Sequence, residues 1–418
     1  MMMIWSRGPR WGIAEFTHLI MSLIPIVAKR NCPELTKLFN SELSGWNLLP
    51  LVSGKVALSV GLRILGMGEG DKIAIPSLCC GSVVKSIYEI KAKPVYVDMD
   101  PGTLSLSLSS LKEVIKHEKP SVIIMAHTIG CLSDVPRILS IARDYCIPVI
   151  NDAAYLVGFK DDETNSYYGT QGNLGIWSFS TKGLQGIGGG MLLYPDDIFD
   201  KVEEFTSMFH TSPMIRKEII NKGVKNALLS ILKGRMPKCL TADKSPEQEH
   251  FDELVLLPPF EGYFLASWIQ IQLMFDQLKK REKIFDILKR NFLIFESEFV
   301  KIEGISIMPL NYGGMYVQYI PILIEGNVPK QDQKDVSKDW IVRYRLRSYL
   351  YSKGIQSYPA YIPRFLVEDS DSIYPNFQSY WKKIVFLPGH SLLSEKSIIY
   401  MSNVLKSWAE NNRLDAKT

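Results

Sequence analysis

From residue 54 onward the chain alternates short apolar, strand-like runs with amphipathic helical runs, and this alternation restricts its fold more than any other feature. Residues 56–65 read as a helix, closed by Gly68 and Gly70. Residues 72–76 read as a short strand ending at a proline. Residues 94–98 read as another, whose acidic turn leads to a capped helix over 107–117. A strand at 121–126, a helix at 135–145 and strands at 148–151, 175–180 and 190–194 follow. Strands separated by helices of this size build a mainly parallel sheet with helices on both faces, so the predicted class is α/β. Ligands of such sheets bind outside the carboxyl ends of the strands, where Asp152 and His127 fall.

The pattern breaks after residue 200. Residues 217–238 combine Ile219, Ile220, Val224, Leu228, Ile231 and Leu232 with Lys222, Lys225, Lys233 and Arg235, a basic amphipathic helix. That face fits either solvent or an anionic surface. Residues 241–253 read as a polar loop, and a long helix is predicted over 264–298. Apolar residues at 317–323, a helix at 340–353, a strand at 383–387 and a helix at 395–411 make a small α+β C-terminal domain. The domains read as an N-terminal extension (1–50), a large domain (51–265), and a linking helix with the small domain (266–418).

The length of 418 residues allows both cores, and 46% hydrophobic with 22% charged residues is ordinary for a soluble globular protein. A net charge of +4 over this length gives no warrant for a nucleic-acid partner. The six cysteines (Cys32, Cys79, Cys80, Cys131, Cys146, Cys239) form no metal-ligand spacing and read as reduced thiols of a cytoplasmic protein. The six histidines are scattered as well, so no metal site is expected. Residues 11–28 are mostly apolar but interrupted by Glu15, His18 and Pro25. They fit an amphipathic helix docked on the protein or a partner subunit, with peripheral membrane contact as the alternative.

One lysine stands out chemically. Lys182 lies in Trp177-Ser178-Phe179-Ser180-Thr181-Lys182-Gly183, ahead of Gly186 and Gly188-Gly189-Gly190. Upstream, Ile150-Asn151-Asp152-Ala153-Ala154 ends an apolar run with a carboxylate. An amine that attacks a carbonyl, a carboxylate for a ring nitrogen, and hydroxyls with backbone amides for a phosphate are the parts that hold pyridoxal phosphate.

Read together, these segments resemble the DegT/DnrJ/EryC1/StrS family of fold-type I sugar aminotransferases. The resemblance runs through Ser53-Gly54-Lys55-Val56-Ala57-Leu58, Gly70-Asp71-Lys72-Ile73-Ala74-Ile75-Pro76-Ser77 and Ala92-Lys93-Pro94-Val95-Tyr96-Val97-Asp98. It continues through His127-Thr128-Ile129-Gly130, Asp152-Ala153-Ala154, the run from Gly169 to Phe179, and Leu387-Pro388-Gly389-His390. It implies a seven-stranded-type, mainly parallel sheet between helices, pyridoxal 5'-phosphate as cofactor, and a homodimer. The implied activity is transfer of an amino group, from glutamate, to a keto sugar carried on a nucleotide, for polysaccharide or secondary-metabolite biosynthesis. Lys182 would be the Schiff-base lysine and acid/base, and Asp152 the partner of the pyridine nitrogen. Gly54 and Lys55 would offer backbone amides to the phosphate at a helix start, and Ser178 a hydroxyl.

The chain departs from the pattern in several ways. Cys79 or Cys80 stands where the family has an aromatic over the ring, and Tyr155 where it has a glutamine for the ring hydroxyl. The run from Ser178 to Lys182 is one residue short, so Ser180 or Thr181 could replace Ser178. The partner subunit's asparagine and arginine have no counterpart in Pro258-Pro259-Phe260-Glu261-Gly262-Tyr263. A membrane-associated enzyme acting on a lipid-linked or other non-sugar substrate, and a non-catalytic relative, remain the other readings. His127 reads equally as a pocket or a core residue, and His390 as support for the C-terminal domain.

Overall fold

A computed structural model of the protein describes residues 17, 42–180, 184, 186–211, 264–300, 302–308, 319–324, 341–357, 373–381 and 383–413. The expected segments 1–28, 217–238, 241–253 and 258–263 therefore lie wholly or almost wholly outside the described residues, as does Lys182.

The main sheet contains β1 (Trp46–Leu51), β2 (Lys72–Pro76), β3 (Lys93–Val97), β4 (Val122–Ala126), β5 (Val149–Asp152), β6 (Leu174–Ser178), β7 (Gly190–Pro195), β8 (His210–Thr211) and β9 (Phe264–Leu265). Their spatial order is β3-β2-β4-β5-β6-β7-β1-β9-β8. The first seven form the expected mainly parallel sheet: β3 to β6 run parallel, and β7 runs against both β6 and β1. The two-residue strands β9 and β8 extend its edge.

Around it lie α1 (Gly54–Ile64), α2 (Gly81–Glu89), α3 (Leu108–Glu118), α4 (Val135–Asp144) and α5 (Phe199–Thr206). The period-2 alternation of side chains assigns the two faces of the sheet. Ile73, Ile75, Val122, Ile124, Ile150, Leu174, Ile176 and Leu192 pack with α1 and α2 residues in one core. The alternate residues Ala74, Ile123, Met125 and Val149 pack with α3 and α4 residues on the other face. Trp177, Met191 and Leu193 also face away from α1, packing with Ile271, Met274, Phe275 and Leu278.

The long helix expected over 264–298 is two helices, α6 (Trp268–Lys279) and α7 (Arg281–Phe299), preceded by strand β9. A capping box at Ser267 and Gln270 starts α6. Lys280, at φ −98° and ψ 2°, leaves the helical conformation, and its amide bonds the carbonyl of Gln277 at 3.0 Å. No proline or glycine marks this break, so helical periodicity alone runs through it.

The C-terminal part holds β10 (Ile305–Ile307), β11 (Tyr319–Ile324) and β12 (Ile384–Pro388) in an antiparallel sheet, with α8 (Ile341–Ser352), α9 (Pro375–Trp381) and α10 (Glu395–Arg413). Alternation again divides the faces. Ile320, Ile322, Ile324, Val385 and Leu387 pack with α7, α8 and α10 residues. Tyr319, Ile384 and Phe386 instead join the α1-side core of the main sheet, together with Phe377 and Trp381 of α9.

Candidate functional site

The α1 face of the sheet ends in polar groups at the carboxyl ends of the central strands. Asp152 closes β5, 9% exposed, in register with Ala126 on one side and Ile176 on the other. It continues the face begun by Ile150, and its Oδ1 accepts the Ala154 amide at 3.1 Å. Ser178 ends β6, two residues beyond Ile176, which is about 7 Å further along the next strand. It continues the face of Leu174 and Ile176, so its side chain and that of Asp152 emerge on the same side.

The start of α1 closes against Ser178. Ser53 caps the helix, its hydroxyl accepting the Val56 amide at 3.2 Å. A Cβ on Gly54 would lie 2.7 Å from Ser178 Cβ and 2.8 Å from its Oγ. Behind it, a Cβ on Gly190 would fall on the backbone nitrogen of Gly54. The helix N-terminus, with its positive dipole end, is thus brought onto the strand-end hydroxyl by two residues lacking side chains. The Lys55 ammonium is engaged elsewhere, in an ion pair with Glu89, whose other oxygen accepts the Ser59 hydroxyl at 2.9 Å.

Phe179 and Gly186 flank the segment that contains Lys182. The Phe179 amide donates to Gly189 O at 3.0 Å, and the Gly186 amide to Phe179 O at 2.8 Å. The Gly189 amide reaches Val52 O at 3.0 Å, just ahead of α1, and the Gln270 side chain bonds both Val52 O and Ile187 O at 3.2 Å. Both flanks are therefore held against the entry to α1. Of the two alternative hydroxyls, Ser180 is exposed and Thr181 lies outside the described residues.

Cys79 and Cys80 follow β2 on the same face; Cys79 is buried, and Cys80 caps α2 without a side-chain hydrogen bond. Burial, then the adjacent Cys80, then the charge of Asp152 push the Cys79 thiol well above its ordinary pKa, so it stays protonated. Tyr155 is partly buried against this core, its ring edge-on to Tyr319 with centroids 6.4 Å apart. Tyr319 comes from β11, far along the chain, and no local motif signals its arrival.

His127 belongs to the core. Its ring contacts Asn151, whose side chain alternates with that of Asp152 and so lies on the opposite face. Nδ1 accepts the Ser133 amide at 3.2 Å, which leaves Nε2 to donate to Asn151 Oδ1 at 2.9 Å. Burial lowers its pKa to about 4, against a smaller opposing effect of the Asn151 bond. His390, buried beyond β12, accepts the Leu392 amide through Nδ1 at 3.2 Å, and its carbonyl accepts from Asn291 at 3.1 Å.

Residues 41–236 match the model of the DegT/DnrJ/EryC1/StrS aminotransferase family. L-glutamine:scyllo-inosose aminotransferase of Streptomyces griseus is 30% identical over 151 residues, 36% of this chain and 34% of that one. GDP-perosamine synthase of Escherichia coli O157:H7 is 32% identical over 155 residues, 37% of this chain and 42% of that one. The chain thus spans less than half the length of the curated relatives it matches. The solved structure of 3-amino-5-hydroxybenzoic acid synthase superposes with a TM-score of 0.72 at 16% identity, over 98% of this chain and all of that one, a likeness of fold.

Proposed function

We propose that this chain, whose residues 41–236 match the model of the DegT/DnrJ/EryC1/StrS aminotransferase family, is a member of it and a pyridoxal phosphate-dependent aminotransferase. It moves an amino group, from glutamate, to a keto sugar carried on a nucleotide, for polysaccharide or secondary-metabolite biosynthesis. The observation that carries this reading is the convergence of Asp152, Ser178 and the α1 N-terminus on one face at the carboxyl ends of β5 and β6. The sugar substrate draws support from the related GDP-perosamine synthase.

The residues fit the cofactor. Gly54 leaves beside Ser178 a cradle that a Cβ would fill, at a helix N-terminus that favours a phosphate dianion. A buried carboxylate lies one strand away on the same face. When bound, pyridoxal phosphate supplies an electrophilic carbonyl and a ring that accepts electrons from the substrate carbon. Asp152 holds a proton on the ring nitrogen and fixes the ring's orientation. Ser178 donates its hydroxyl to the phosphate, beside the amides of Gly54 and Lys55. Lys182 takes the proton from the substrate carbon and returns it, a step that needs a free amine near neutral pH. Cys80 would pack against the ring, and Tyr155 would donate its phenol to the ring hydroxyl.

The working unit of this reading is a homodimer in the cytoplasm. The free thiols of Cys79, Cys80, Cys131 and Cys146 suit a reducing compartment. Among the described residues no helix is long and apolar enough to cross a membrane. Sedimentation measures the oligomeric state. Borohydride reduction of the cofactor-loaded protein followed by mass spectrometry tests the site: a phosphopyridoxyl adduct on Lys182 is expected. An adduct on another lysine overturns the assignment, and failure to take up the cofactor overturns the function.

A further inference from the structure

We propose that Tyr319 is a positioning residue that acts through Tyr155, so that the C-terminal sheet sets the ring end of the cofactor site. This rests on the reading of the site given above. Tyr155 stands three residues after Asp152, on a turn closed by the Leu156 amide on Ala153 O at 2.9 Å. Its ring is partly buried in the α1-side core, in the same cluster as Cys79 and Cys80. A phenol delivers its hydroxyl to one point only if something holds its ring.

Tyr319 is that holder. It meets Tyr155 edge-on, with centroids 6.4 Å apart and planes at 73°, within the range of favourable aromatic pairs. Tyr319 is itself 1% exposed and locked in β11 opposite Pro388. Strand alternation turns it, with Ile384 and Phe386 of β12, toward the main sheet rather than toward α10.

The support behind it is buried and hydrogen-bonded. Asp98, 3% exposed and just beyond the end of β3, accepts the Asn376 amide at 3.0 Å and the Phe377 amide at 2.9 Å. This ties α9 to the same end of the main sheet as Asp152. Phe377 and Trp381 of α9 then pack in the cluster that contains Tyr319 and Phe386. The chain from Asp98 through α9 and β12 to Tyr319 fixes one wall around Tyr155, whose neighbouring backbone belongs to the other.

The test reads the pH dependence of the ~420 nm absorbance of the cofactor-loaded protein, which reports the proton shared at the ring end. Tyr155→Phe removes the hydroxyl and shifts the midpoint by about one unit. Tyr319→Leu shifts it in the same direction by about half a unit, and adding Tyr155→Phe gives the midpoint of Tyr155→Phe alone. Tyr319→Phe keeps the ring and leaves the midpoint where it was. If the leucine variant does not fold, Tyr319→Met, an adaptable gap-filler, takes its place. An unshifted midpoint in Tyr319→Leu with the band present overturns the proposal and leaves the cofactor reading standing. A further shift in the double variant overturns it too, because Tyr319 then acts by its own route. Absence of the band in the wild-type protein overturns both.

Discussion

Asp152 ends β5 and His127 follows the adjacent β4 by one residue, yet their side chains part because successive side chains in a strand face opposite ways. Asp152 emerges on the α1 side; His127 meets Asn151 on the other. Asp152→Asn keeps an oxygen for the Ala154 amide but, on the proposed function, would not hold the ring nitrogen's proton. The expected result is an unchanged thermal midpoint and turnover lower by roughly 100-fold or more, read by steady-state kinetics. His127 instead governs stability. Its folded pKa of about 4 lies below the unfolded 6.5, so between those values the unfolded chain takes a proton that the folded one refuses. Stability therefore falls by about 3 kcal/mol as pH drops through this window, and His127→Gln removes that slope from the thermal midpoint measured against pH. The places of Asp152 at a strand end and Gly54 at a helix start were legible in the order of the motifs, whereas Ser178 closes a strand that reads as running on to Ser180. The side on which His127 falls required the strand register.

Two of the elements missed by sequence reading, α2 and β1, lack the residue that would have announced them. Helix α2 opens at Cys80, which makes no side-chain cap, where a serine or aspartate would mark a start. Strand β1 carries Pro50, which argues against a strand inside a sheet. It is tolerated because β1 meets β9 only at Leu51 and Leu265. By contrast α1 was legible, and Ser53 shows why: its hydroxyl caps the helix whose N-terminus faces Ser178. Ser53→Ala should cost about 1 kcal/mol of stability in urea unfolding. Gly190→Ala should be far worse, about 3 kcal/mol or more, because its Cβ meets the Gly54 backbone rather than a side chain that can turn away. The measurement is the same unfolding curve, and cofactor uptake should weaken with it.

At the scale of the molecule, a buried carboxylate and a shared apolar core, among the described residues, join the C-terminal part to the main sheet. Asp98 accepts the amides of Met99, Asn376 and Phe377. Asp98→Ala leaves buried amides unsatisfied and should destabilise the protein by about 2–4 kcal/mol. Limited proteolysis should then release fragments cut near α9 before the main domain is attacked, a pattern absent from the wild-type protein. If the variant resists protease as the wild type does, the join is made by the core alone.

The sequence by itself determined the α/β class, the strand end that carries Asp152, and the glycine at the start of α1, whereas the strand read over 175–180 ends already at Ser178. These are local matters, written in period-2 and period-3.6 patterns and in caps. Tertiary structure alone decided that Gly190 must yield to the Gly54 amide, that α6 and α7 part at Lys280, and that Tyr319 arrives beside Tyr155. Each is a contact between segments distant in the chain, or a bend without proline or glycine. Such features follow from packing one surface on another, which no run of neighbouring residues records.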